Sequence, residues 1–254
     1  MIKFFRHIRQ KLLSENKFSK YLLYAAGEII LVVIGILIAL QINAWNEGKK
    51  TKEKELKYLS LIKVEMASNL QSVQDEKVQL NAFLTSLGEM MELQANTDQT
   101  ISNAGLSQIL VPILSRDMDF NYKNGTLNEI IATGNLKDIT NDSIRNILSS
   151  LGGDIERVRA QEYEVNKYIQ KSNNFIEKHG NVKQVVIDVG VDSDFDIPKS
   201  PHETNNLFLL KSTEFENIMM YAMLTGTYLR ADYYSKLELN IQSLIALIDD
   251  ELKN

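Results

Sequence analysis

The best candidate for metal binding is a short acidic stretch in which aspartates alternate with other residues. Asp192, Asp194 and Asp196 occupy positions 1, 3 and 5 of an EF-hand calcium loop, and Glu203 falls at position 12. Such a loop needs glycine at position 6 for a sharp turn, but Ile197 stands there. The sequence therefore predicts an acidic surface loop, with no metal site and no calcium binding tighter than about 1 mM.

Other residues that could perform catalysis are scattered or absent from the sequence. His7, His179 and His202 do not cluster, and the chain has no cysteine, which excludes disulfides, thiolate zinc sites and cysteine nucleophiles. The sequence has no nucleophile elbow, P-loop, dinucleotide fingerprint or zinc-protease motif. These observations predict no catalytic residue and no cofactor.

Methionine and tyrosine residues form groups that could line an apolar pocket. At helical spacing such side chains are more often part of a core, which is the interpretation we favour. They are Met90, Met91, Met219, Met220, Met223, Tyr228, Tyr233 and Tyr234.

The elements that would position these residues begin with a hydrophobic segment. Residues 21–40 contain a single charge, and about 20 apolar residues suffice to cross a bilayer. Tyr24 and Trp45 bracket the segment at a spacing of roughly 32 Å, as expected for aromatic residues at the two interfaces. The sequence predicts one transmembrane helix over residues 21–45.

The charge distribution predicts the orientation of this helix. Residues 1–20 carry six Lys/Arg and one acidic residue. Because the whole chain has a net charge of −5, the charges of residues 21–254 sum to −10. A short basic tail resists translocation, whereas a long domain crosses largely regardless of its charge. We therefore expect residues 1–20 in the cytoplasm and residues 46–254 outside it. The acidic balance of the main domain argues against nucleic-acid binding.

The basic tail also has an amphipathic pattern. Its apolar residues fall on one half of a helical wheel, and most of its polar and basic residues fall on the other. This pattern predicts an interfacial helix that binds anionic lipid head groups, although a simple orientation signal is the alternative. The apolar residues are Ile2, Phe4, Phe5, Ile8, Leu12 and Leu13, and the basic residues are Lys3, Arg6, Arg9, Lys11, Lys17 and Lys20.

One face of the predicted transmembrane helix could mediate association with another helix. Glu28 lies on this face, and Gly35 and Ala39 form a small-x-x-x-small pair that permits close helix approach. The alternative is that Glu28 reaches the head groups or is protonated, and that the small pair occurs by chance. The sequence leaves both open.

Residues 46–254 have the pattern of a helical bundle. Apolar residues recur every seven positions from Leu59 to Leu87, and a second run from Ile144 to Ile176 has eight apolar residues in ten heptad positions. A third run extends from Phe215 to Leu252. Asn141 and Ser212 are expected N-caps, and the sequence from Thr126 to Glu129 matches a capping box.

A small β insertion is predicted within this bundle. Residues 182–191 are rich in valine, and residues 206–210 are a plausible partner strand. The composition, with 44% hydrophobic and 24% charged residues and only three prolines, is that of a globular protein with long helices. The predicted fold class is therefore mainly α: an N-terminal amphipathic helix, one transmembrane helix, and an antiparallel helical bundle with a small β insertion.

Two segments resemble an uncharacterised family of single-span membrane proteins from Gram-negative bacteria. They are KYLLYAAGEIILVVIGILIALQINAWNE (residues 20–47), behind the basic tail, and NGTLNEIIATGNLKDITN (residues 124–141). The resemblance implies an inner-membrane protein with a helical periplasmic domain. It implies no activity and no catalytic residue.

These observations favour a non-enzymatic membrane-anchored protein whose helical domain binds a protein partner or a second copy of itself. The alternative is a ligand-sensing helical bundle that signals through a partner, since long helices rising from a membrane span resemble those of chemoreceptor sensor domains. An enzyme is the third possibility.

Overall fold

The computed structural model describes residues 18–96, 100–114, 116–191, 197–198 and 205–253. The chain divides into two compact units, Met1–Lys57 and Tyr58–Asn254. The described residues are helices and connecting segments. Residues 1–17 of the predicted tail helix lie outside the described residues. The same is true of the candidate calcium ligands Asp192, Asp194, Asp196 and Glu203.

Seven α-helices and three short helical turns make up the described fold. The helices are α1 (Phe18–Ala95), α2 (Asn103–Leu114), α3 (Gly125–Ala132), α4 (Asp142–His179), α5 (Val182–Asp188), α6 (Thr213–Tyr228) and α7 (Ser235–Lys253). Two 3-10 turns span Asn135–Asp138 and Leu207–Lys211, and a π-helical turn, Leu229–Tyr234, joins α6 to α7.

The first unit contains the predicted transmembrane segment. It lies within α1, which includes an 18-residue window of mean hydropathy 2.5, none of which is buried. Ile29, Leu37 and Trp45 are 65%, 58% and 71% exposed. An apolar helix this long and this exposed is compatible with membrane anchoring.

The core of the second unit is formed by the long helices α1, α4, α6 and α7. The heptad positions predicted on α1 are buried, from Leu59 to Leu87. A second row of buried residues on α1 comprises Ile62, Asn69, Glu76, Phe83 and Met90. The second row on α1 therefore contains two buried polar residues. On α4, all ten predicted heptad positions are buried, including the polar Glu162.

The helix boundaries on the C-terminal side of the chain agree with their predicted caps. The Asn141 side chain accepts hydrogen bonds from the backbone of Ser143 and Ile144, and α4 ends before Gly180. Ser212 caps α6 through the backbone N–H of Phe215. Gly226 of α6 sits so close to α1 that an added Cβ would lie 2.9 Å from Leu84 Cδ2.

The predicted β insertion is wrong for the described residues. Val182–Asp188 is helix α5, because the Asn181 side chain caps it and Val185 is buried in the core. The Ser107 hydroxyl donates to Asp188 at 2.6 Å and ties α5 to α2. These contacts override the β propensity of the valines. The expected partner strand is the 3-10 turn Leu207–Lys211.

The predicted capping box at the start of α3 is also wrong. The helix begins at Gly125, so Thr126 lies within the first turn. The backbone N–H groups of Thr126 and Leu127 donate instead to Glu65 of α1, at 2.7 and 3.2 Å. A carboxylate from a distant helix thus satisfies the free donors of this helix terminus.

Candidate functional site

The strap, residues 116–124, is a segment without helix or strand whose backbone is held by side chains of two long helices. Asn69 of α1 accepts from the N–H of Lys123 at 2.8 Å and donates to its carbonyl at 2.7 Å. Asn166 of α4 pairs with Met118 in the same way, at 2.7 and 2.8 Å. Each asparagine therefore satisfies both backbone groups of one residue, as a neighbouring β-strand would.

Glu162 is the central polar group beneath the strap. It is 4% exposed and accepts at the same carboxylate oxygen from the Phe120 N–H at 2.9 Å and the Tyr234 hydroxyl at 2.5 Å. Burial raises the pKa of Glu162, while these two hydrogen bonds oppose the shift. The nearby Asp119 and Glu76 add to the increase.

A second acidic side chain under the strap forms an ion pair with an arginine. Glu76 of α1 is 7% exposed and forms an ion pair with Arg116 at the start of the strap. The hydrogen bond to Glu76 is the main cause that raises the Arg116 pKa above its ordinary value. Burial raises the pKa of Tyr234, and the Glu162 charge raises it further.

The cluster of Glu76, Arg116, Glu162 and Tyr234 is closed to a substrate at its centre. Tyr234 is fully buried and Glu162 nearly so, and their hydrogen bonds are directed to each other and to the strap. Among the described residues, no three His, Asp or Glu side chains lie close enough to hold a metal ion. The arrangement fixes the strap against α1 and α4.

The surface offers a more accessible candidate, a groove between α4 and α6. This α4–α6 groove has a volume of about 470 Å³ and is open to solvent. Its wall includes Tyr168 and Tyr221, whose rings stack at 5.4 Å with an interplanar angle of 9°. Phe175 forms part of its floor and contacts Phe215 at 5.5 Å between ring centroids.

Basic side chains line the same groove. Lys171 and Lys178 of α4 are both exposed, and the Lys171 ammonium lies 4.7 Å from the Tyr168 ring centroid. His179 stands at the end of α4, 4.8 Å from the Phe175 ring, and Glu214 is the carboxylate of the groove. Within the described part of the chain, no carboxylate lies within ion-pair distance of either lysine.

An apolar stripe borders the groove on α6. Met220, Leu224 and Tyr228 recur every four residues, so they share one helix face, and they are 48%, 48% and 59% exposed. Tyr221, which is 55% exposed, connects this stripe with the groove. Exposed methionine and tyrosine side chains are enriched at protein interfaces.

The predicted association face lies on the exposed part of α1. An added Cβ at Gly35 meets nothing within 4 Å, and Ile34 and Ile36 beside it are 49% and 55% exposed. The expected core role of the methionine and tyrosine groups holds for Met90, Met219 and Tyr234, which are buried. It fails for Met220 and Tyr228, which are exposed.

Sequence reasoning missed the groove and the polar cluster. A signal for the cluster was present, because Glu162 interrupts the heptad pattern of α4 with a carboxylate that the helix must bury. Lys171 and Lys178 follow the spacing of one helix face. Their position beside Tyr221 depends on α6, which is distant in the sequence.

Comparison with known proteins identifies a family but no activity. Residues 28–180, more than half of the chain, match the family of unknown function DUF6090. No curated protein and no solved structure matches the chain. The match confirms the resemblance to an uncharacterised family, and it includes α3, α4 and the strap. The chain therefore belongs to the DUF6090 family of unknown function.

Proposed function

We propose that this protein is a non-enzymatic, membrane-anchored interaction module whose second unit docks a partner protein. The observation that carries the proposal is the surface formed by the α4–α6 groove and the apolar stripe of Met220, Leu224 and Tyr228. This surface combines exposed tyrosine and methionine side chains, which are enriched at protein interfaces, with two lysines that can pair with acidic residues of a partner.

The polar interior supports a non-enzymatic role. Glu162 and Tyr234, the buried titratable pair, bind each other and the strap backbone. A general acid or base must reach a proton on its substrate, and these groups are enclosed by the core. Their geometry suits a rigid scaffold that fixes α4 relative to the strap.

The anchor and its orientation complete the proposal. The exposed apolar part of α1 crosses the inner membrane once, with the basic N-terminal tail in the cytoplasm on anionic head groups. The second unit then lies in the periplasm. The Gly35/Ala39 face, with Glu28, is the place at which two anchors associate.

Site-specific photocrosslinking in the native host tests this function. A benzoylphenylalanine at Tyr221 should yield an adduct of discrete mass, because Tyr221 lies where the groove and the stripe meet. The control is Tyr163, which is 69% exposed on α4 and does not line the groove. No adduct at Tyr221, or equal adducts at both positions, would contradict the proposal.

A ligand-sensing bundle is the second candidate function, and the volume of the α4–α6 groove favours it. About 470 Å³ is within the range of small-molecule sites. A panel of small anionic metabolites, assayed by thermal shift on the full chain in detergent, separates the two candidates. Stabilisation that disappears in Tyr221→Ala supports a sensor, whereas a docking module shows none.

A further inference from the structure

The charges of the α4–α6 groove differ in sign from the domain that contains it. Outside its first 20 residues the chain has a net charge of −10, yet the described residues that line the groove include Lys171 and Lys178 against one carboxylate, Glu214. Lys167, about one helical turn before Lys171 on α4, forms an ion pair with Glu164. Lys171 and Lys178 have no such neighbour among the described residues.

The spacing of these two lysines defines a possible ligand. They are seven residues apart on α4, which places their Cα atoms about 10.5 Å apart along the helix axis. In an extended peptide alternate side chains share a face, so residues separated by four positions lie on one face about 13 Å apart, with a third side chain between them. Carboxylates at such positions of a partner segment can therefore each reach one ammonium.

The apolar centre of the groove adds a third element of recognition. Phe175 lies between the two lysines on α4, and Ile218 and Tyr221 face it from α6. An aromatic or aliphatic side chain between the two carboxylates of the ligand would bury its surface there. Apolar burial supplies affinity, and the two charge pairs fix register and orientation.

From this geometry we infer that the α4–α6 groove binds an acidic segment of a partner protein, in which two carboxylates four residues apart flank an aromatic or aliphatic side chain on the same face. The inference rests on the proposed docking function and specifies the chemistry of the partner. The apolar stripe extends the contact, since Tyr221 joins it to the groove.

Selection from a random dodecapeptide library tests the inference. The target is the full chain in nanodiscs of zwitterionic lipid, and the enriched peptides are then synthesised. We expect acidic sequences with an apolar residue between two carboxylates. Their affinity should fall at least about tenfold in the Lys171→Glu/Lys178→Glu variant and should weaken as salt is raised.

A matched variant controls for the change in net charge. Lys137→Glu/Lys253→Glu makes the same change at exposed lysines outside the groove, and peptide affinity should stay within about twofold of the parent. Circular dichroism of all variants confirms that the helices are retained.

The outcomes separate the inference from the proposed function. Neutral or basic peptides that lose binding in the groove variant would overturn the acidic ligand and leave docking intact. If no peptide is enriched, or if binding is equal in both variants, docking at this groove is wrong as well. Groove-dependent binding to phosphatidylglycerol vesicles without peptide binding would overturn the inference in favour of a lipid surface.

Discussion

The Tyr234 hydroxyl donates a 2.5 Å hydrogen bond to the Glu162 carboxylate, which also accepts from the strap at Phe120 N–H. Tyr234 reaches this position because Leu229–Tyr234 is a π-helical turn. The extra residue in that turn moves the buried position from Tyr233, where the α-helical pattern places it, to Tyr234. The turn therefore connects α7, α4 and the strap.

Removal of the Tyr234 hydroxyl should destabilise the second unit. Tyr234→Phe deletes a hydrogen bond to a buried carboxylate, which is worth about 1.5–3 kcal/mol. The measurement is urea unfolding of the full chain in a mild detergent at neutral pH. Tyr233→Phe is the control, because Tyr233 is only half-buried, and its stability should change by less than about 0.5 kcal/mol. Equal losses for the two variants would argue against the hydrogen bond.

Glu162 should make stability depend on pH in the direction opposite to most carboxylates. Because its folded-state pKa is raised, the folded protein retains the proton longer than the unfolded chain does. Its contribution is fully present below the ordinary pKa of about 4.5 and is lost as pH rises through the raised value.

Glu162→Gln is the variant that isolates this contribution. Glutamine can still accept from Phe120 and Tyr234 but does not titrate. The unfolding free energy of Glu162→Gln, relative to that of the parent, should therefore rise from pH 4 to pH 8. Urea unfolding at several pH values measures it, and parallel pH profiles would show that Glu162 does not titrate differently in the folded state.

The asparagine contacts to the strap should contribute strongly to stability. Asn69→Ala removes two hydrogen bonds and leaves the N–H and carbonyl of Lys123 without their partner, so we expect a loss of about 2–4 kcal/mol in unfolding free energy. Gln71→Ala, at an exposed position two residues away, should cost less than about 0.5 kcal/mol. A loss below about 1 kcal/mol for Asn69→Ala would mean that water replaces the side chain.

The Gly35/Ala39 face of α1 should tolerate a large residue at position 35 in the monomer but not in a dimer. An added Cβ at Gly35 meets nothing within 4 Å in the single chain, so Gly35→Ile should abolish association of two helices without a steric clash in one of them. A transmembrane two-hybrid assay measures the signal, and Val33→Ile on another face is the control. An unchanged signal in Gly35→Ile would assign Glu28, Gly35 and Ala39 no part in association.

Much of the helical architecture follows from local sequence patterns. The heptad positions of α4 and the caps at Asn141 and Ser212 are local features, and the structure confirms them. The β prediction failed because the helical conformation of Val182–Asp188 depends on the contact with Ser107 of α2 and on the cap by Asn181. The Glu65 contact to α3 spans 61 residues, so no local pattern could show it.

The functional surfaces were harder to predict for the same reason. Asn69 and Lys123 are 54 residues apart, and an asparagine that pairs with a distant backbone leaves no periodic signal. The groove needs Tyr168 and Tyr221 on two different helices. In contrast, the hydrophobic segment of α1 is contiguous, and composition alone identifies it.

The membrane orientation of the second unit tests the central claim most directly. The chain has no cysteine, so single substitutions give an unambiguous label. Leu239→Cys lies at a position that is 61% exposed on α7, and Ser14→Cys lies in the basic tail. In intact cells a membrane-impermeant maleimide should label Leu239→Cys, whereas Ser14→Cys should react only after lysis. Protection of Leu239→Cys together with labelling of Ser14→Cys in intact cells would contradict the account.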